Sequence, residues 1–478
     1  MAYEGYVDSV SDREIAGWIY DEAAPNKPLK LEILAGDAVV ATLVANRYRP
    51  DLEAAGKGNG RHAFSYSAGT STPGGGPLSA RIAGKRWRIQ PTFAATGQNT
   101  PLMRDWRRKL HHPLEFGYPS IETGFTEAAL SADEPEIVER LVEAFHRALA
   151  EDPMARSRET DLWSELESAL HGDVLELLRN RDNAALADYL RDAHNRNITW
   201  GITQGGDTTA TLRGQADARR GVSTAFVDYL VSLAEQLGLL DVESPTQLGP
   251  WAENLHSDPQ ELVDRIAARV GFAIETPPVM SSYFGIRTRD GILTGRDLLS
   301  LYGVLQVQGL ARQLGIASPR VCEIGGGLGG VAYYCARLGM PCAIVDLPLI
   351  GVLQAYFLMR ALGPSQVQLY GESAPAPVRL LPPFAFAAPG NEWDILMNQD
   401  SFPEMSPAYS IGYLRDARTV VRHAFYSVNQ EARAVQAGSA RQSVVRELVA
   451  QAGGWRRSSR QRHWLRPGYA EEIYRKAP

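Results

Sequence analysis

The chain lacks most of the features that would set it apart from an ordinary intracellular protein. It has three cysteines in 478 residues, Cys322, Cys335 and Cys342. None makes a C-x-x-C pair, the number is odd, and each sits in an apolar segment. A disulfide framework or a structural zinc site is therefore not expected, and the thiols read as buried and reduced. Long hydrophobic runs are missing as well. No stretch reaches the roughly 20 residues of a spanning helix, and the N-terminus shows no signal-peptide core, so the expected location is cytoplasmic, with no membrane span. Charge of one sign is not in excess: 49 Lys and Arg stand against 55 Asp and Glu, a formal net charge of -6. That balance argues against broad nucleic-acid binding. No repeat recurs at a fixed period, which excludes a solenoid.

What is present is globular in composition, with 44% hydrophobic and 22% charged residues, and long enough for two or three domains. Residues 1–93 carry short candidate strands at 14–20, 29–34, 38–45, 62–67, 78–82 and 86–89, separated by Gly- and Pro-rich turns. This pattern predicts an all-β sandwich or small barrel, with 70–77 as a hairpin loop and a boundary over 91–101. Residues 101–314 change to helical period, with helices predicted at 134–149, 161–178, 183–193, 221–239, 259–270 and 295–314. In the first of these, Ile137, Leu141, Phe145 and Leu149 share one face. The segment reads as a helical cap or substrate region. Residues 315–478 alternate strands (320–324, 341–345, 366–370, 393–397, 425–429) with helices (329–338, 349–362, 407–423, 439–452), which predicts a Rossmann-like parallel α/β sheet. Residues 455–460 and 469–475 are expected to close its edge as an antiparallel pair.

The chemistry concentrates in Val321-Cys-Glu-Ile-Gly-Gly-Gly-Leu-Gly-Gly. A strand runs into Gly325, Gly327 and Gly329, whose missing Cβ permits positive φ and close approach of a cofactor. Glu323 separates the cofactors. A dinucleotide pyrophosphate favours backbone N–H groups with no acid beside them, whereas S-adenosylmethionine has no phosphate and carries an ammonium. The blander reading is a tight strand–helix turn without ligand. Asp346 ends the next strand, where an acid can accept both ribose hydroxyls, or simply cap the following helix. In the loop Asn398-Gln-Asp-Ser-Phe-Pro-Glu-Met, Gln399 is expected on the cofactor side. Asp400 and Glu404 are candidates for acceptor binding or proton removal, against loop solvation and helix capping. His423 is the third catalytic candidate, expected at a helix end that would suit a cation. Asp400, Glu404 and His423 also offer metal-type donors, but their spacing is not diagnostic and no metal is expected. His463, with Trp464, lies in a basic run that reads first as a solvated face; His111 and His112 follow another at 104–109 and show no ligand spacing.

At these residues the chain resembles a bacterial family of sugar O-methyltransferases. The resemblance spans about 280–476 and includes Tyr283-Phe-Gly-Ile, the glycine segment, Val345-Asp-Leu-Pro, Asp400-Ser-Phe-Pro-Glu-Met and Tyr426-Ser-Val-Asn-Gln-Glu. It implies S-adenosylmethionine as cofactor and methyl transfer to a sugar hydroxyl of a bacterial glycan or of a nucleotide- or lipid-linked sugar. Asn429 and Glu431 join the candidates by their place at a strand end. Gly5-Tyr-Val-Asp, Ile15-Ala-Gly-Trp-Ile-Tyr-Asp and Tyr48-Arg-Pro-Asp-Leu are similar to a β-rich module of glycan-modifying enzymes. That similarity implies contact with glycans or glycan-assembly partners and leaves homo-oligomerisation open; Trp18 and Tyr20 are otherwise expected in the sandwich core. Two other functions compete: an NAD(P)-dependent nucleotide-sugar oxidoreductase or epimerase, and a glycan-binding scaffold with a degenerate methyltransferase core.

Overall fold

The computed structural model describes residues 3–68, 78–85, 88–91, 121–153, 170–243, 253–432 and 442–477. The expected loop at 70–77, the boundary beyond residue 91, the basic run at 104–109 with His111 and His112, and the start of the helix expected at 161–178 lie outside the described residues. The contacts divide the chain into two compact units, Met1–Leu114 and Glu115–Pro478.

The first unit holds β1 (Tyr3–Val10), β2 (Glu14–Asp21), β3 (Lys30–Ala35), β4 (Ala38–Val44), β5 (Arg47–Tyr48), β6 (Arg61–Ser67), β7 (Leu78–Ile82) and β8 (Gln90–Pro91). They form two sheets, β5-β6-β2-β1-β8 and β4-β3-β7. Val7, Ile15, Ile19, Leu31, Ile33, Phe64 and Ile82 meet in one buried cluster, as period-two alternation requires. β1 was not among the expected strands, since Gly5 and its acidic neighbours weaken the β signal. Those glycines permit close pairing: a Cβ on Gly5 would fall 2.5 Å from the Trp18 carbonyl, and one on Gly17 2.2 Å from that of Tyr6. Of the strand expected at 86–89, residues 86 and 87 lie outside the described residues, and Arg88 forms a bridge with Arg81. Trp18 is also displaced from expectation. It is half-buried on the face opposite Ile15 and Ile19, 5.8 Å from the Tyr6 ring. Tyr20 shares that face and is buried edge-on against His62.

The second unit opens with helices Glu134–Glu151, Gly172–Asn180, Asn183–Arg191, Gly206–Gly214, Ala216–Gln236 and Pro259–Val270. A small sheet, unforeseen because its strands are two to four residues long, joins β9 (Thr123–Phe125), β10 (Phe284–Arg287) and β11 (Ile292–Leu293) in the order β11-β10-β9. The helix Gly295–Gln313 starts from a capping box in which Thr294 and Asp297 satisfy each other's backbone N–H groups.

The large sheet comprises β12 (Val321–Ile324), β13 (Cys342–Val345), β14 (Val367–Gln368), β15 (Val378–Leu381), β16 (Trp393–Gln399), β17 (Val421–Gln430), β18 (Trp455–Arg462) and β19 (Tyr469–Lys476). Its order is β14-β15-β13-β12-β16-β17-β19-β18. The pairs are parallel from β14 to β17, and β19 and β18 close the edge antiparallel. Both faces are apolar. Val321, Ile344, Ile395 and Met397 pack toward helices Gly295–Gln313, Gly330–Arg337 and Pro348–Leu362. Cys322, Ile324, Ala343, Val345 and Leu396 pack toward Pro407–Val420 and Val445–Ala452. This two-sided burial is what a doubly wound parallel sheet needs. The strand next to β13 is β15, not the expected 366–370, which contributes only the two-residue edge strand β14. Four residues hemmed by Pro377 and Pro382 present no helix or strand period of their own. The three cysteines are buried and unbridged, and no helix among the described residues is long and apolar enough to cross a membrane.

Candidate functional site

β12 ends at Ile324 and the chain turns through glycines. Gly325, Gly327 and Gly329 have φ of 72°, 55° and 97°, a region costly for residues with a Cβ. Space is short as well: a Cβ on Gly325 would lie 2.2 Å from Ser401 Oγ. The turn is laced to β13. Gly325 N–H donates to the Val345 carbonyl at 3.0 Å, and Gly326 N–H donates to Asp346 Oδ2 at 3.0 Å. Gln354 Nε2 donates to the same oxygen at 2.7 Å, and Leu347 N–H to Oδ1 at 2.8 Å. Asp346 thus serves the turn and the start of helix Pro348–Leu362. Burial pushes its carboxyl up to about 6, against these donors.

Over this turn lies a cavity of about 920 Å³ whose wall includes Glu323, Gly325, Gly327, Asp346, Gln399, Asp400 and Glu404. The C-terminal ends of β12, β13 and β16 converge here, the place where open α/β sheets bind ligands. Glu323 is 3% exposed, and its Oε2 has no hydrogen-bond partner among the described residues. Burial, then the nearby Asp346 and Asp400, push its carboxyl up to about 8. A buried acid oxygen without a donor is costly and is retained where a ligand supplies one. Gln399 repeats the motif with a buried Oε1 that has no partner among the described residues.

Asp400 has φ of 66°, which Asp tolerates better than most residues. Arg466 Nη1 donates to its two oxygens at 2.9 and 2.8 Å, and Arg296 Nη1 donates to Oδ2 at 3.2 Å. Burial alone would raise this carboxyl, but the two guanidiniums outweigh it and hold the group below the usual carboxylate range. Arg466 is itself fixed: its guanidinium lies 3.5 Å from the Tyr469 ring centre, and its N–H donates to His463 Nδ1 at 2.9 Å. Burial, then Arg466, pushes the His463 imidazole down to about 3, so it stays a neutral acceptor.

The structure brings most of the expected residues together. Glu323, Gly325, Gly327, Asp346, Gln399, Asp400 and Glu404 share the cavity, and Gly329 holds the left-handed position just before the following helix. His423 does not join them. The helix expected to end there stops at Val420, and His423 stands exposed in β17, 3.9 Å from Asp394. Asn429 is buried and donates to Asn398 Oδ1 at 3.0 Å and Ser427 Oγ at 2.9 Å. Glu431 is paired with Arg446 and Arg460. Reading the sequence assigned no role to Arg296, Arg466, Tyr469 or Tyr283. Tyr283 stood in a family motif, the one available signal. It is 6% exposed, its hydroxyl has no partner among the described residues, and its ring stacks on His194 at 4.3 Å.

No family model matches the chain, and none of the curated proteins matches it. Among solved structures it is similar to magnesium protoporphyrin IX methyltransferase from Synechocystis PCC 6803 with bound SAM, at 13% identity over 38% of this chain and 83% of that one, with a TM-score of 0.28. It is similar to a glycopeptide N-methyltransferase at 17% identity over 36% and 89%, TM-score 0.27. A third is the Burkholderia thailandensis 1,6-didemethyltoxoflavin-N1-methyltransferase, at 19% identity over 38% and 83%, TM-score 0.28.

Proposed function

We propose that this chain is an S-adenosylmethionine-dependent O-methyltransferase acting on a sugar hydroxyl. The observation that carries the cofactor is Glu323: a buried carboxylate oxygen with no donor among the described residues, beside a left-handed glycine turn, in a large cavity at the strand ends. An ammonium supplies the missing donor and favours the ionised acid. A pyrophosphate at the same turn would meet two carboxyl groups, Glu323 and Asp346, which weighs against a nicotinamide dinucleotide. The unmet carboxylate also weighs against a degenerate scaffold. The sugar acceptor rests on the motifs of residues 280–476, and a glycan-contacting role for the first unit rests on its sequence similarity to such modules.

When bound, S-adenosylmethionine supplies an electrophilic methyl group. The chain's residues then have separate tasks. Glu323 pairs with the ammonium, and Asp346, with acceptor capacity beyond its three protein donors, takes ribose hydroxyls. Removal of the acceptor proton is assigned to Glu404. Asp400 is a weak proton acceptor between two guanidiniums and orients the wall instead, while His423 stands away from the cavity lining. Isothermal titration of the full chain with S-adenosylhomocysteine, NAD and NADP tests the cofactor, followed by radiolabelled methyl transfer to candidate glycans. The expected result is binding of S-adenosylhomocysteine alone. Binding of a nicotinamide dinucleotide in its place, or loss-free binding by Glu323→Ala, overturns the reading.

A further inference from the structure

Arg296, Asp400 and Arg466, all in the cavity lining, form a cluster with an imbalance of charge. Asp400 is one carboxylate between two guanidiniums, so the triad of Arg296, Asp400 and Arg466 has one positive charge in excess. Arg466 reaches both oxygens of Asp400 through Nη1, lies over the Tyr469 ring and leaves 14% of its side chain open. Arg296 is freer. It touches Asp400 through Nη1 only, its Nε and Nη2 have no partner among the described residues, and 41% of its side chain is open. It also occupies the first turn of helix Gly295–Gln313, the end at which a cation is disfavoured. Its placement there is not explained by the helix.

The neighbouring acid does not balance it. Asp297 is buried and saturated by Thr276, Thr294 and Tyr334. Tyr283 lines the same cavity as Arg296 and is 94% buried, its hydroxyl without a hydrogen bond among the described residues. Strain holds it in place: Ser282 has φ of 71°, and its Oγ accepts from Arg213 Nη2 at 2.6 Å and Asn195 Nδ2 at 2.9 Å. An open planar guanidinium and a buried phenol without a partner, on one cavity wall, form an incomplete receptor for a planar or tetrahedral oxyanion.

We infer that the acceptor sugar carries an anionic group, a carboxylate or a phosphate, which docks on Arg296 and Tyr283 while its hydroxyl faces the glycine turn. This deepens the methyltransferase reading and rests on it. The test is calorimetric titration of the full chain, with and without saturating S-adenosylhomocysteine, using glucuronate, glucose 1-phosphate and glucose as probes. At least one anionic sugar should bind about tenfold or more tightly than glucose, the scale of one charge-assisted contact, and the two arms tell carboxylate from phosphate. Arg296→Gln should erase that preference, and Tyr283→Phe should reduce it, each keeping S-adenosylhomocysteine affinity within about twofold as a check on folding. Equal affinity for all three sugars, no measurable binding of either anion, or a preference that survives in Arg296→Gln overturns the inference. Failure to bind S-adenosylhomocysteine counts against the methyltransferase reading alone, because the titrations without it still decide the anion site.

Discussion

Replacing Glu323 with Gln keeps the shape of the side chain and removes its ability to ionise. In the native chain burial lifts this carboxyl from 4.5 to about 8, so the folded state holds the proton more tightly than the unfolded chain does. The stability it contributes is therefore present below about pH 4.5 and is lost as pH rises through about 8. At pH 7 the unfolded chain gains from ionising Glu323 while the folded chain does not. With about 1.4 kcal/mol for each unit between the two pKa values, the resulting penalty is roughly 3 kcal/mol at pH 7 and roughly 1 kcal/mol at pH 5. Glu323→Gln escapes it. The ligand-free variant should be more stable than the parent by those amounts, more so at the higher pH, and at the same time bind S-adenosylhomocysteine at least about tenfold more weakly. Urea unfolding at both pH values gives the first quantity and calorimetry the second. A variant that is less stable at pH 7, or whose gain does not grow from pH 5 to pH 7, refutes the account of Glu323 as an uncompensated buried acid. A variant that is stabilised but binds normally refutes its role toward the ammonium.

Two further outcomes follow from the same site. Gly325→Ala drives a Cβ to 2.2 Å from Ser401 Oγ at a φ of 72°, so S-adenosylhomocysteine binding should be lost with the sheet preserved by circular dichroism. Normal binding would show that the turn does not need its left-handed geometry. Asp400→Asn keeps the backbone conformation, which Asn tolerates, but leaves Arg466 and Arg296 without their anion. A loss of about 2 kcal/mol in denaturant unfolding is expected, and an unchanged midpoint would mean that the pairings carry no net stability.

Legibility in the sequence was uneven, for physical reasons. The alternation around β12, β13 and β16 was clear because strands buried on both faces read as near-continuous apolar runs, and helices such as Pro259–Val270 carry both period and caps. β15 was hidden by its prolines and its four-residue length, and β9 to β11 were shorter still. Within the site, Glu323, Asp346 and Asp400 were visible because acids at strand ends stand out against apolar runs. Arg296 and Arg466 were not, because each acts through Asp400, 104 and 66 positions away in the chain, and Tyr283 was not, because burial of a hydroxyl leaves no mark on the sequence. Trp18 shows the same limit in the first unit: aromatic identity does not say which face of a sheet a ring occupies.

One buried cluster takes in residues from helices Glu134–Glu151, Asn183–Arg191, Ala216–Gln236 and Pro259–Val270 together with Val321, Ile344, Ile395 and Tyr426 of the large sheet. Such a layer cannot swing aside as a rigid door without exposing the interior of the sheet itself. Cutting the helices away would remove one wall of the sheet's own interior.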